Sequence, residues 1–225
     1  MARLILPLIF GIAGVAVLMA LGFWQLSRLD EKQVVIAEIE ARIGAAPVAL
    51  PDAPEEARDR YLPVHVEGQY TGEAAHVLSS QREQGTGSRV IAVLETSAGR
   101  RVLVDRGFLP DAARGSADLA SGPVRVAGNL HWPRDTTDST PPPDMGRGLW
   151  FSRAVAPLAA HLGTEEVLIV ARQDGATVPG LTTMPVATID IRNDHLEYAI
   201  TWFLLALVWA GMTGFLLWRI RRGTA

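Results

Sequence analysis

The sequence contains no cysteine and only one lysine, Lys32, among its 225 residues. Without cysteine, disulfide bonds, thiolate metal sites and cysteine nucleophiles are all excluded. Arginine supplies nearly all of the positive charge, and the formal net charge is only −3 at pH 7. A chain with this balance has no global electric field that would attract a polyanion. We therefore expect no nucleic-acid partner.

Common catalytic and metal-binding motifs are also missing. The histidines are His65, His76, His131, His161 and His195. None stands at HExxH spacing, and no serine lies in a GxSxG turn. Asp105–Arg106–Gly107 is conspicuous, but neighbours on a strand point to opposite faces, so we interpret it as a strand-end turn. We expect no enzyme, with serine–histidine–acid catalysis as the weaker alternative.

Two stretches contain long apolar runs: residues 4–23, and residues 191–217, where a polar cluster at 192–195 leads into about 20 mostly apolar residues. About 20 apolar residues suffice to cross a bilayer as a helix. The first has no evident cleavage site and is predicted to be an uncleaved anchor. The predicted parts are a first transmembrane helix over 1–23, an amphipathic helix and connector over 24–60, a β-rich extracytoplasmic domain over 61–190, an interfacial motif with the second transmembrane helix over 191–218, and a cytoplasmic tail over 219–225.

Between the spans, alternating and β-branched segments predict an antiparallel domain. Strands are expected over 61–70, 89–96, 101–108, 124–130 and 166–173, and helices over 28–43 and 155–162. Turns are predicted at Gly85–Gly87 and Ala98–Gly99, a solvated connector over 45–60, and an exposed loop over 133–148. The predicted fold class is a membrane protein with two transmembrane helices flanking an α+β, mainly antiparallel β extracytoplasmic domain.

Charge next to the spans predicts their orientation. Arg219, Arg221 and Arg222 follow the second span and favour a cytoplasmic C-terminus, because cytoplasmic flanks carry an excess of basic residues. Two spans then place the N-terminus in the cytoplasm too. Arg28 and Lys32 argue weakly for the opposite orientation, but the C-terminal cluster is denser.

Small residues occur in both spans and predict close helix packing. Ala206, Ala210 and Gly214 repeat every four residues in the second span, and glycines at positions 11, 14 and 22 lie in the first. We expect the row in the second span to contact the first span.

One face of the second span combines an imidazole with aromatic rings. His195, Tyr198 and Trp202 stand at i, i+3 and i+7 of a helix that begins where the membrane begins. A single imidazole beside an apolar aromatic wall is typical of an axial haem ligand. Arg192, at a suitable depth, is the candidate for a haem propionate, and the hydrogen-bond partner of His195 is expected from the β domain. The alternative interpretation of His195 is an interfacial polar residue that caps the span.

Several blocks together resemble the Surfeit locus protein 1 family, called Shy1 in yeast, whose members are assembly factors of haem–copper cytochrome c oxidase. The blocks are LGFWQLSR at 21–28 with Lys32, YLPV at 61–64 with Gly68 and Tyr70, VLVDRGFLP at 102–110, and NDHLEYAITWF at 193–203. This chain departs from the family pattern at Ser88, Asp105 and Asp194. The resemblance implies two spans around an extracytoplasmic domain, and a histidine tied to haem a that matches His195.

The resemblance also implies a function and a location. We expect haem a as the cofactor, with His195 as ligand of its iron and Tyr198, Trp202 and Arg192 around it. Expected partners are the oxidase catalytic subunit, haem a synthase and membrane lipid. The first span begins almost at residue 1, so a bacterial cytoplasmic membrane is expected rather than a mitochondrial one. The alternatives are a scaffold that stabilises an oxidase intermediate without touching haem, and a two-span sensor.

Overall fold

The computed structural model describes residues 2–115, 117–188 and 191–222. Residue 1 of the first predicted span, residue 190 at the predicted domain end and residues 223–225 of the predicted tail lie outside the described residues. The helices are α1 Ala2–Gly44, α2 Glu56–Asp59, α3 Asp111–Arg114, α4 Val155–Leu162 and α5 His195–Arg222. The strands are β1 Val48–Ala49, β2 Pro63–Gln81, β3 Gly85–Thr96, β4 Arg101–Pro110, β5 Ala120–Leu130, β6 Leu149–Trp150 and β7 Leu168–Asp174.

The chain divides into two compact units. The helical unit comprises the described residues of Met1–Glu38 and Thr188–Ala225, and the barrel unit is Ile39–Ala187. Two helices, over Leu4–Gly44 and His195–Arg222, are long and apolar enough to cross a membrane. The predicted class of two membrane helices around a β domain is confirmed. The amphipathic segment predicted over 28–43 is part of the continuous helix α1, which ends at Gly44 as expected.

In the helical unit, α1 and α5 pack antiparallel through glycines of α1. A Cβ atom placed on Gly11 would lie 2.1 Å from Thr213 Cγ2, and one on Gly14 would lie 2.2 Å from Trp209 Nε1. Further along, a Cβ on Gly22 would lie 2.4 Å from Phe203 Cε1. Real atoms do not approach so closely, so each glycine accommodates a larger side chain of α5.

The contact with α1 that was predicted for the small residues Ala206, Ala210 and Gly214 of α5 is largely wrong. Ala206 is buried, but Ala210 is exposed and a Cβ on Gly214 would meet nothing within 4 Å. The reason is geometric: the helices interlock by placing large α5 side chains over α1 glycines, so most of the small α5 residues turn outward.

Five strands of the barrel unit close into a barrel in the order β2–β3–β4–β7–β5 and back to β2. Four of these five pairings are antiparallel, and β4 with β7 is parallel. The short strands β1 and β6 add parallel pairings to β2. The sheet is therefore mixed but mainly antiparallel, as predicted. Its closure removes the exposed edges that an open sheet would present.

Apolar side chains fill the barrel and also cover one outer face. The interior cluster includes Val64, Val90, Leu94, Val104 and Ile169, which are almost fully buried. Outside, α4 packs Val155, Leu158 and Ala159 against Ile91, Leu103 and Leu168. Helix α4 has the predicted bounds and ends at Gly163, whose φ of 64° is the left-handed conformation that glycine tolerates.

Strand β2 is longer than the predicted strand at 61–70, and the turn predicted at Gly85–Gly87 lies at 82–84 instead. The register of β2 shifts between Tyr70 and Ala74, and Gly72 adopts a φ of 89°. The segment after this irregularity is poor in β-branched residues, so its strand depends on its pairing with β3. The predicted connector over 45–60 contains β1 and α2.

The strand-end turn predicted at Asp105–Arg106–Gly107 is also wrong. All three residues lie inside β4, where Arg106 is the extra residue of a bulge opposite Val90 and Ile91. The bulge turns the Arg106 side chain inward, where it is fully buried and pairs with Asp174 at 2.7 Å. The guanidinium carbon of Arg106 also lies 3.9 Å from the centre of the Tyr70 ring. A buried charge is tolerated only with such partners.

Candidate functional site

His195 is the first residue of α5, and the segment before it starts the helix. The backbone carbonyl of Asp194 accepts a hydrogen bond from the Tyr198 amide at 3.1 Å, as expected of the residue that precedes a helix. Ala199, one turn after His195, is buried, whereas Tyr198 is 50% exposed. Helical spacing therefore presents His195 and Tyr198 together at the head of the span.

The hydrogen-bond partner of His195 comes from the other long helix. His195 Nδ1 lies 2.8 Å from Gln25 Oε1 of α1. The expectation that this partner would come from the β domain is wrong. An amide oxygen only accepts hydrogen bonds, so Nδ1 is the donor in this contact. In the neutral imidazole that carries its proton on Nδ1, Nε2 has a free lone pair. This is the form in which a neutral imidazole binds a metal.

Helix packing brings Gln25 to this position. Gly22, three residues before Gln25, lies under Phe203, and the rings of Phe23 and Phe203 meet edge to face with their centres 5.4 Å apart. Phe203 is two turns beyond His195 in α5. The close approach of the helices at this level leaves His195 opposite Gln25.

Arg192 and Asp194 form an ion pair beside His195. The hydrogen bond that Arg192 donates to the Asp194 carboxylate raises the pKa of Arg192 above its ordinary value, so Arg192 stays charged. The Arg192 side chain is 83% exposed. Asn193 Oδ1, between these two residues, is buried and has no hydrogen-bond partner in the described part of the chain. Recognition of an anionic group by Arg192 would require that group to compete with Asp194.

A cavity of about 450 Å³ lies beside His195. It is lined by Gln25, Arg192, Asp194, His195 and Tyr198. Its size is within the range of small-molecule sites in proteins. Three of the four predicted site residues therefore come together. Trp202, the fourth, is half-buried one turn beyond Tyr198 and does not line this cavity.

The side chains around the cavity include groups that could hold a haem. His195 offers one imidazole nitrogen with a free lone pair, Tyr198 offers an exposed aromatic face, and Arg192 offers a cation for a propionate. The buried Asn193 Oδ1, two residues before His195, is a further acceptor without a hydrogen-bond partner among the described residues. In the described ranges, no three His, Asp or Glu side chains form a cluster that could hold a bare metal ion.

Two histidines of the barrel unit have structural partners instead. His131 stacks on Tyr61 with ring centres 5.4 Å apart, and His76 Nδ1 lies 2.9 Å from Ser88 Oγ. Burial lowers the pKa of each imidazole to about 4. Both rings therefore remain neutral at physiological pH and belong to the barrel packing.

Gln25 is the site residue that the sequence reasoning missed. The available signal was its position: Gln25 is a polar amide directly after the first apolar span, as His195 is a polar residue directly before the second. To use that signal, one must know the register of α1 against α5. Contacts at the glycines of α1 set this register, and the periodicity of apolar residues does not reveal it.

Comparison with known proteins matches residues 12–207 to the model of the SURF1 family. Surfeit locus protein 1 of Xenopus tropicalis is 30% identical over 206 residues, which cover 82% of this chain and 67% of that protein. The human Surfeit locus protein 1 is 29% identical over 208 residues, covering 83% of this chain and 69% of its own length. The SURF1-like protein of Rickettsia felis is 27% identical over 202 residues, covering 85% and 88%. The chain thus spans about two thirds of the vertebrate relatives.

Proposed function

Because this chain belongs to the SURF1 family, the family of cytochrome c oxidase assembly factors, we propose that it binds haem a and aids its insertion into the catalytic subunit of the oxidase. The observation that carries the proposal is the His195–Gln25 hydrogen bond at the head of α5, which leaves Nε2 free beside a cavity of about 450 Å³. This contact and this cavity support His195 as the residue that would bind the cofactor.

Each residue has a separate role in this proposal. His195 Nε2 would hold the iron, and Tyr198 would form part of the aromatic wall of the cavity. Trp202 would extend that aromatic face one turn further along α5, and Arg192 would bind a propionate in place of Asp194. Bound haem would supply an iron that an imidazole nitrogen can ligate. The protein holds and releases the group without changing it covalently, so its chemistry is ligation and transfer rather than catalysis.

The same proposal includes location and partners. Two membrane-capable helices at the ends of the chain and a SURF1-like relative in a bacterium support a bacterial inner membrane. Both chain ends are cytoplasmic in this proposal, and the barrel unit is extracytoplasmic. The partners are the oxidase catalytic subunit, to which haem a passes, haem a synthase, from which it comes, and the surrounding lipid.

The test is made in a strain that lacks this protein and receives wild type, His195→Ala or the control His65→Ala, a change in the barrel unit. We measure haem a per oxidase catalytic polypeptide in isolated membranes. We expect His195→Ala to lower this ratio while the polypeptide still accumulates, and His65→Ala to leave it unchanged. Normal haem a content with His195→Ala would reject the proposal and favour a scaffold that stabilises an oxidase intermediate without binding haem.

A further inference from the structure

We propose that Gln25 is a positioning residue: it selects the tautomer and ring orientation of His195, so that Nε2 is the nitrogen presented to the cavity. This inference deepens the proposed function and rests on it for the identity of the group that Nε2 binds. Its physical basis, a hydrogen bond between two helices, stands without any cofactor.

Of the two neutral tautomers of His195, only the one with its proton on Nδ1 is compatible with the observed contact. Gln25 Oε1, 2.8 Å from Nδ1, can accept a proton but cannot donate one. Free neutral histidine favours the proton on Nε2, which would put two lone pairs against each other here. Gln25 therefore reverses the intrinsic preference of the ring.

The neighbouring polar groups do not compete for this role. Arg192 bonds with Asp194, and Asn193 Oδ1 has no hydrogen-bond partner among the described residues. The contact to Nδ1 comes from a different helix, 170 positions away in the sequence. A bond between helices restrains ring rotation because both of its ends are held by helix packing, here at Gly22 and Phe203.

The effect on ligand binding follows from the geometry. A ligating histidine whose second nitrogen is hydrogen-bonded is more basic and keeps its ring aligned, and loss of such a partner typically costs about 10- to 100-fold in metal affinity. Gln25→Met has similar volume and removes the acceptor. Gln25→Glu keeps an acceptor in the same place and should preserve the tautomer. Gln33→Met, at an exposed position of the same helix, is the matched control.

The first measurement uses the haem-free full-length chain, labelled with ¹⁵N-histidine and purified in detergent. Ring ¹⁵N shifts report which nitrogen carries the proton, and His195→Gln identifies the His195 signals. We expect a single Nδ1–H form in wild type, Gln25→Glu and Gln33→Met, and a mixture dominated by Nε2–H in Gln25→Met. The same tautomer in wild type and Gln25→Met would overturn the positioning role.

The second measurement is haem a titration of the same proteins, followed by absorption. We expect Gln25→Met to bind about 10- to 100-fold more weakly than wild type, and Gln25→Glu and Gln33→Met to remain within threefold of it. A tautomer change with unaltered haem affinity would overturn the role of Gln25 in presenting Nε2. If wild type itself takes up no haem a, the proposed function fails, while the tautomer result still decides what Gln25 does to His195.

Discussion

At the scale of single residues, His76 and His131 predict how the barrel unit responds to acid. Burial is the main reason that the pKa of each ring falls to about 4, and nearby arginines, Arg114 for His76 and Arg153 for His131, lower it further. In an unfolded chain both imidazoles return to an ordinary pKa of about 6.5. Between pH 6.5 and pH 4 the unfolded state therefore binds protons that the folded state does not.

Linkage sets the sign of this effect. Stability falls as pH falls wherever the unfolded state holds more protons. The two histidines therefore leave the free energy of unfolding unchanged above about pH 6.5 and lower it progressively as the pH falls toward 4. Below pH 4 the folded state also takes up the protons and the loss stops growing. We expect urea unfolding of the full-length protein in detergent to show this loss, and the double variant His76→Gln/His131→Gln to show less of it. An equal slope for both proteins between pH 6.5 and 4 would contradict the assignment.

At the scale of elements, the packing of α1 on α5 predicts a contrast between two glycines. A Cβ on Gly22 meets Phe203 at 2.4 Å, whereas one on Gly214 meets nothing within 4 Å. Gly22→Leu should therefore separate the helices and lower the unfolding free energy of the helical unit by about 1–3 kcal/mol, the range for overpacked interiors. Gly214→Leu should be neutral.

The measurement for this pair is reversible unfolding of the purified proteins in mixed detergent micelles. Gly22→Leu should also weaken the His195–Gln25 contact, since Gly22 and Phe203 hold the helices close at that level. Equal losses for Gly22→Leu and Gly214→Leu would mean that α1 and α5 do not pack as described.

Local signals account for the elements that could be predicted. The hairpin at Ala98–Gly99 and the helix end at Gly163 require φ angles of 77° and 64° at their glycines. Because glycine adopts such angles readily, both features can be predicted from the sequence. The bulge at Arg106 has no comparable signal, because an arginine becomes buried only when Asp174, Tyr70 and the closed barrel are assembled around it. Closure through β2 and β5 is likewise a tertiary event that period-2 alternation does not encode.

The candidate site also combines residues that the sequence predicts with one that it does not. His195 and Tyr198 share a face because of helical spacing, which the sequence shows directly. Gln25 enters the site through the register of α1 against α5, and this register depends on contacts as distant as that between Gly11 and Thr213. Partners that come from another helix could not be inferred from the neighbourhood of His195 alone.

At the scale of the whole molecule, the basic residues after α5 predict the membrane orientation. Arg219, Arg221 and Arg222 lie in the last turn of the helix, where cytoplasmic flanks are enriched in arginine. A reporter active only outside the cytoplasm should be active when fused at residue 140, within the irregular segment between β5 and β6. The same reporter fused after residue 225 should be silent. The reverse pattern would contradict an extracytoplasmic barrel unit and cytoplasmic chain ends.

The absorption spectrum of the purified protein shows whether His195 ligates the iron of haem a, as we propose. Wild type, His195→Ala and Trp202→Ala are made in cells that synthesise haem a and are compared at equal protein concentration. We expect wild type to carry haem a, His195→Ala to retain only weak association with shifted bands, and Trp202→Ala to lose occupancy while its bands keep their positions. Identical occupancy and band positions in wild type and His195→Ala would exclude His195 as the ligand.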